Sequence, residues 1–423
     1  MEQLLHYVWK HKIFPLKELK TTTGLPVEII DTGLTNTDAG PDFFNAKIKI
    51  NGTLWVGNVE IHTHASDWYR HGHDRDKAYD SVILHIAEEV DANVCRADGE
   101  PIPQMQLSCP DSVCNNFNEL QRADRYPVCR DIIKSLPKLT IHSWMSALQT
   151  ERFRQKAEQV EKRLERCDGN WEDAFFVTLA RNFGFGLNGD AFEMWAEMLS
   201  LRAVDKYRDN LFQIEAFFFG QAGLLEEEID DAYYHRLQKE FAYLQHVFDL
   251  RVTDASRWRF LRLRPGNFPH VRIAQLAFLY YQERGLLSRV MEAESVKQVK
   301  TILRSRVSEY WETHYHFYHI SPRRAKSLSD SSLNLIIINT VVTFLYAYGR
   351  FKGDERLCER ATDFLEELKA ENNYIIRMWS EAGLKIDSAA DSQALIQLKK
   401  EYCDRKKCLH CRIGYEYLKK GHA

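Results

Sequence analysis

The chain has 423 residues, of which 44% are hydrophobic and 12% aromatic. That is enough apolar material for two or three domains and too much for a disordered or fibrous chain. Its net charge of −3 excludes a uniformly basic nucleic-acid coat, so any nucleic-acid site has to be a local patch. Glu2, His6, Lys10 and Lys12 interrupt the apolar residues of the amino terminus and leave no signal-peptide core. The nine cysteines are an odd number, scattered from Cys95 to Cys411. Together these features predict a cytoplasmic protein with reduced thiols and no membrane partner. The longest uncharged apolar run, Leu333 to Gly349, holds Asn334 and Asn339 and predicts a buried helix.

In chain order, Glu2 to Trp9 has helical apolar spacing, and Val27 to Ile30 reads as a strand. Asn45 to Ile50 and Thr53 to His62 are two strands joined by Asn51-Gly52, a tight hairpin signal because both turn positions need positive φ. Ser66 to Tyr79 reads as a helix with Ser66 as N-cap, and Ser81 to Ala87 as a buried strand. The order helix, three strands, helix, strand predicts an α/β domain over residues 1–135. After Leu136-Pro137, long stretches at helical spacing such as WEDAFFVTLARNF predict an α-helical domain over 136–400. A cysteine-containing tail, 401–423, closes a chain of mixed α+β class.

Ionisable residues concentrate between Asp42 and His85, with Glu60, His62, His64, Asp67, His71, His73, Asp74 and Asp76 between them. A strand alternates faces with period two, so Glu60, His62 and His64 share a side if the strand runs that far. An acid and an imidazole one pleat apart can share a metal ion or a water. Carboxylates with waters suit Mg²⁺ or Mn²⁺, whereas a mostly imidazole set suits Zn²⁺. His71 and His73 flank Gly72 and could rim the same cleft.

Pro41-Asp42 followed by Glu60-Ile61-His62 across a hairpin, within an αβββαβ order, resembles the PD-(D/E)XK nuclease superfamily and its restriction-endonuclease-like fold. The resemblance implies that Asp42 and Glu60 hold Mg²⁺ or Mn²⁺, with the backbone carbonyl of Ile61 as a further ligand. It implies phosphodiester hydrolysis in DNA or RNA. His62 stands where that superfamily has the lysine that positions or activates the attacking water, and a histidine can serve there as base or ligand. The chain also resembles a family of uncharacterised Bacteroidetes proteins over nearly its full length, in GPDFFNAKI, GNVEIH, SDWYRHGH, AYDSVILHI and RPGNFPHVRIAQLA.

Register tests the carboxylate pair. A two-residue turn pairs Ile50 with Thr53, which sets Asp42 opposite Ile61 and Phe43 opposite Glu60. Strict pairing therefore puts the two carboxylates on opposite faces of the sheet. A shared site needs one extra residue in one strand, for which Gly57 is the expected bulge, or an Asp42 that precedes the regular strand. Two other readings stand beside the nuclease: a zinc-dependent hydrolase built on His62, His64, His71 and His73, and a catalytically degenerate scaffold that binds nucleic acid or protein.

Three further constellations stand out. Cys403, Cys408 and Cys411 have a C-x4-C-x2-C spacing that suits Zn²⁺ or an iron–sulfur cluster, with His410 or Cys358 as candidates for a fourth ligand. Cys109, Cys114 and Cys129 are spaced too irregularly to join them. Arg257, Arg259, Arg264 and Arg272 lie among Trp258, Phe260 and Phe268, a pattern that can hold phosphates and stack bases. The same arginines could pair with acids of neighbouring helices. Gly184, Gly186 and Gly189 follow a helical run, so a loop with Asn188 or Asp190 as the next N-cap is expected there.

Overall fold

The structure, a computed structural model, describes residues 2–16, 18–36, 38–122 and 127–420. The chain is mixed α+β, with a sheet in its amino-terminal part and a mainly helical remainder. It divides into two compact units. The first comprises Met1–Trp144 with Glu381–Leu384 and Leu398–Ala423, and the second Met145–Ser380 with Lys385–Gln397. Residues 398–420 are thus packed within the first unit. Pro137 immediately precedes the helix Lys138–Arg166, inside which the division falls.

In the first unit, α1 (Glu2–Lys10) buries Leu4, Leu5, Tyr7, Val8 and Trp9 on one face. Glu2 in its first turn and Lys10 in its last suit the helix dipole. The six-stranded sheet comprises β1 (Val27–Asp31), β2 (Leu34–Thr35), β3 (Phe43–Ile50), β4 (Thr53–His64), β5 (Val82–Glu89) and β6 (Gln104–Gln106). Their spatial order is β1-β3-β4-β5-β6, with β2 paired to β3. β1 and β4 run antiparallel to β3 between them, whereas β4, β5 and β6 are parallel. β2 and β6 are two and three residues long, too short to show alternation in the sequence.

The hairpin pairs Ile50 with Thr53, and the register holds as far as Ala46 opposite Gly57. It then shifts by one, so that Phe43 lies opposite Val59. The extra residue is on β3, not at Gly57: Asn45 takes φ +56° and its amide donates to Asn58 Oδ1 at 3.2 Å. Asparagine is among the few non-glycine residues that tolerate this conformation. Gly57 has a different task. A Cβ there would sit 2.4 Å from Ile83 Cγ2 and 2.8 Å from the Ser81 carbonyl, so glycine admits the close approach of β5.

The segment expected as one helix from Ser66 to Tyr79 is three short turns: α2 (Asp67–Arg70) and 3₁₀ turns at His73–Arg75 and Lys77–Tyr79. Gly72, at φ +78°, breaks the path. Ser66 makes no cap bond; its hydroxyl donates to Asp91 Oδ2 at 2.7 Å.

The second unit packs helices around an aromatic core that includes Phe183, Phe192, Trp195, Phe217 and Phe218. Asn170 caps the helix Trp171–Phe183 by accepting from the amides of Glu172 and Asp173. The glycine-rich loop joins this helix to Gly189–Met198, as its composition predicts. Asn188 holds the N-cap position, but its side chain bonds both backbone groups of Arg259 instead. Asp330–Lys352 is one helix, among the described residues, long and apolar enough to cross a membrane. Of its most apolar window, 67% is buried inside the protein, and one π turn at Ile337–Val341 interrupts it.

Candidate metal centre

The bulge at Asn45 decides the site. With the register shifted by one, Asp42 comes opposite Glu60, and opposed residues share a face. The two are locked reciprocally. The Asp42 amide donates to Glu60 Oε2 at 3.0 Å, and the Ile61 amide donates to Asp42 Oδ2 at 2.9 Å. Glu60 is 5% exposed, and burial raises its pKa above the ordinary carboxylate value.

Imidazoles surround this pair. His62 Nε2 and His73 Nε2 stand 3.5 and 3.3 Å from Glu60 Oε1. His6, delivered by α1, places Nε2 at 3.3 Å from Asp42 Oδ2 and 3.5 Å from the Ile61 carbonyl. These separations exceed the 2.7–2.9 Å of a charge-assisted hydrogen bond. They match roughly the 3.3 Å between two ligands that each lie about 2.0–2.1 Å from one tetrahedral ion. One ligand atom each from His62, His71 and His73 lies within 4.8 Å of the others, the group of three that does so among the described residues. The Gly72 turn makes this possible by folding His71 and His73 back over β4. His71 is exposed, so the cluster opens to solvent there.

The rings are held by a second set of contacts. His62 Nδ1 meets His85 Nε2 at 2.9 Å, and Gln104 Nε2 reaches His85 Nδ1 at 3.5 Å. Gln104 is itself fixed by the Val94 amide and the Ala92 carbonyl. Orientation of a ligating imidazole through its other nitrogen is typical of metal sites. Tyr79 stacks on His73 with ring centroids 3.8 Å apart, and Trp68 meets both His73 and His85 edge to face. Burial, and then the neighbouring histidines, push His62 down to about 3; burial does the same to His85. Both rings are therefore neutral at pH 7, as metal ligation requires. For His6, burial acts downward but the hydrogen bond and charge of Asp42 outweigh it, and its pKa is raised.

Of the residues singled out in the sequence, Asp42, Glu60, Ile61, His62, His71 and His73 are brought together. His64 is not: it is about half exposed and pairs with Glu89 Oε2 on β5 at 3.3 Å. His6 and Gln104 belong to the site but had no role in the sequence reading. The one hint for His6 was a polar residue among the buried positions of an amphipathic helix. The arginine segment also divides. Arg257, Arg259 and Arg264 are exposed, whereas Arg272 is 5% exposed. Arg272 donates to Gln275 Oε1 and Asn267 Oδ1 and lies 4.3 Å over the Phe185 ring. Burial pushes its pKa down to about 10. It is a packing residue and presents nothing to a phosphate. Cys358 belongs to the second unit, where its sulfur donates to the Tyr346 carbonyl.

No curated protein and no solved structure matches this chain. A family model described as a protein of unknown function, DUF2851, matches residues 2–374. The chain, with its imidazole-ringed carboxylate pair on a bulged hairpin, belongs to that family.

Proposed function

We propose that the protein is a divalent-metal-dependent hydrolase of phosphodiester bonds, with nucleic acid as its substrate class. The observation that carries this reading is the bulge at Asn45, which seats Asp42 opposite Glu60 beside three imidazoles. The succession of helix, antiparallel strands, helical turns and parallel strand around that pair supports the resemblance to PD-(D/E)XK nucleases. The donor set departs from theirs by being rich in imidazole, which favours Zn²⁺ or Mn²⁺ over Mg²⁺. Such an ion, when bound, polarises a phosphoryl oxygen and makes a water more acidic.

The chain's own residues divide the remaining work. Asp42, Glu60 and the Ile61 carbonyl would offer oxygen ligands, and His62, His71 and His73 would offer nitrogen. His62 is neutral and pinned by His85, so it takes the position of the nuclease lysine without its charge and serves as ligand and orienter. His71, at the open edge, is the imidazole that substrate meets first.

The test uses the purified full chain with Zn²⁺, Mn²⁺ or Mg²⁺ on single- and double-stranded DNA and RNA, against Asp42→Ala and Glu60→Ala. Cleavage lost in both variants is the expected result. Cleavage that survives both overturns the mechanism, and salt-sensitive binding without turnover turns the protein into a scaffold. The imidazole group favours a second reading, a mononuclear zinc hydrolase in which Asp42 is not a ligand. Stoichiometric zinc lost on His62→Ala and His71→Ala but kept on Asp42→Ala would select it.

A further inference from the structure

The cysteine tail gains a partner that spacing did not reveal. Cys403 ends the π turn Leu398–Cys403, Cys408 opens the 3₁₀ turn Cys408–His410, and Cys411 precedes the terminal helix Arg412–Leu418. Backbone bonds from Lys407 to Tyr402 and from Cys411 to Cys408 curl this segment onto itself. A Cβ on Gly414 would lie 2.2 Å from the Cys408 carbonyl, so glycine lets the curl press directly against the terminal helix. That helix packs against Arg130–Ile133, a short helix preceded by Cys129. Tyr417 donates to Glu119 at 2.7 Å, and Asn116 donates to the carbonyls of Tyr417 and Leu418, which ties the terminal helix to the helix Asp111–Arg122 as well.

Cys129, at the start of that short helix, is thereby brought toward the terminal helix and its N-cap Cys411. The groups acting on its sulfur, after burial, are Cys411, Cys403 and Cys408, and together they push its pKa well above the ordinary thiol value. Trp144 enters from the start of the helix Lys138–Arg166, edge-on to Tyr402 and under the Arg412 guanidinium. Its indole N–H is buried without an acceptor, and it acts on the Cys411 sulfur. A buried donor without a full acceptor is unfavourable, and an anionic sulfur beside it would relieve that. The amides of Ile413 and Gly414 face the same sulfur without closing a cap bond.

We propose that Cys129, Cys403, Cys408 and Cys411 are the four thiolate ligands of an iron–sulfur cluster that fastens the terminal helix to the segment around Cys129. Four thiols grouped in this way are unfavourable as anions on their own, and a cationic core would resolve that conflict by displacing their protons. Spacing favours a cluster over a single ion. Sulfurs on one tetrahedral zinc at about 2.3 Å stand roughly 3.8 Å apart. Among the described residues no three cysteine sulfurs close within 4.8 Å, whereas the three imidazoles do. A multi-iron core holds its thiolates farther apart than a single ion does.

The test is anaerobic purification of the full chain, with visible spectroscopy and analysis for iron, acid-labile sulfide and zinc. The expected result is a broad visible absorption with iron and sulfide in about equal amounts, lost in Cys129→Ser and Cys408→Ser. It should be kept in Cys114→Ser, whose sulfur faces the Cys109 carbonyl, and in Asp42→Ala, which separates this site from the metal centre above. Should Cys129→Ser not fold, alkylation of the wild type with mass mapping decides instead. The four named cysteines should be protected before chelation and labelled after it. Iron retained without Cys129, zinc in place of iron, or no bound metal at all would each overturn the proposal.

Discussion

Both units bury ionisable side chains, and they treat them in opposite ways. In the helical unit the buried Arg163 and Glu193 are closed off by dedicated partners. Glu193 is held by Arg163 at 2.7 Å and Arg166 at 2.8 Å, with Arg181 as a third guanidinium, and Glu215 takes the Tyr233 hydroxyl. In the sheet unit His62 and His73 face Glu60 at 3.5 and 3.3 Å, too long for their best hydrogen bonds, and one edge is open through His71. A fully paired charge is a structural element, because its binding capacity is spent within the fold. Neutral imidazoles and a carboxylate grouped around a gap retain theirs. Burial alone therefore does not mark a functional site, but burial with unfinished pairing does.

Matched substitutions test that contrast. Glu60→Gln should lower metal-dependent cleavage by roughly 10²–10⁴-fold while the unfolding midpoint moves little, read by steady-state rates and thermal melts on one preparation. Arg163→Ala should do the reverse. Removing one partner of a buried pair costs about 3 kcal/mol, visible in denaturant unfolding with the metal affinity unchanged.

Glu215 gives the contrast a pH signature. Burial pushes its carboxyl up to about 7 in the folded protein, from an ordinary value of 4.5. Its contribution is fully present below pH 4.5 and is lost as pH rises through 7, because the unfolded chain releases its proton first. That amounts to about 3 kcal/mol across the window, and Glu215→Gln should flatten stability there in urea titrations at pH 4.5 and 7. The depressed histidines run the other way. With metal chelated, His62 and His85 stabilise the fold above pH 6.5 and cease to as pH falls toward about 3.

The smallest expected effect is on the bulge. Asn45→Val puts a β-branched residue at φ +56° and should cost about 1–2 kcal/mol, while Asn45→Gly should be nearly neutral. If the valine variant keeps full metal affinity, the register shift is not what aligns the carboxylates. A calorimetric titration with Zn²⁺ or Mn²⁺ reads this directly.

Much of the sheet unit was legible because its signals are local. Asn51-Gly52 specifies its turn, alternation specifies β3 and β4, and Asp42, Glu60, His62, His71 and His73 were all visible as residue types. The helix expected over Ser66–Tyr79 failed because apolar spacing there competes with Gly72, whose left-handed turn ends one short helix and starts another. Arg272 was read as a ligand residue because spacing carries no burial. Composition placed it beside exposed arginines, and the fold placed it inside.

Sequence by itself set the class of each region, the hairpin and the inventory of carboxylates, imidazoles and thiols, since these follow from periodicity and turn chemistry within a few residues. Tertiary structure alone decided which of them meet. A single extra residue at Asn45 reverses which side chains share a face, because strand alternation has a period of two. Only chain folding over long separations brings His6 to Asp42 and Cys129 toward Cys411. Such contacts leave no trace in spacing, because the residues that make them are neighbours in space and not along the chain.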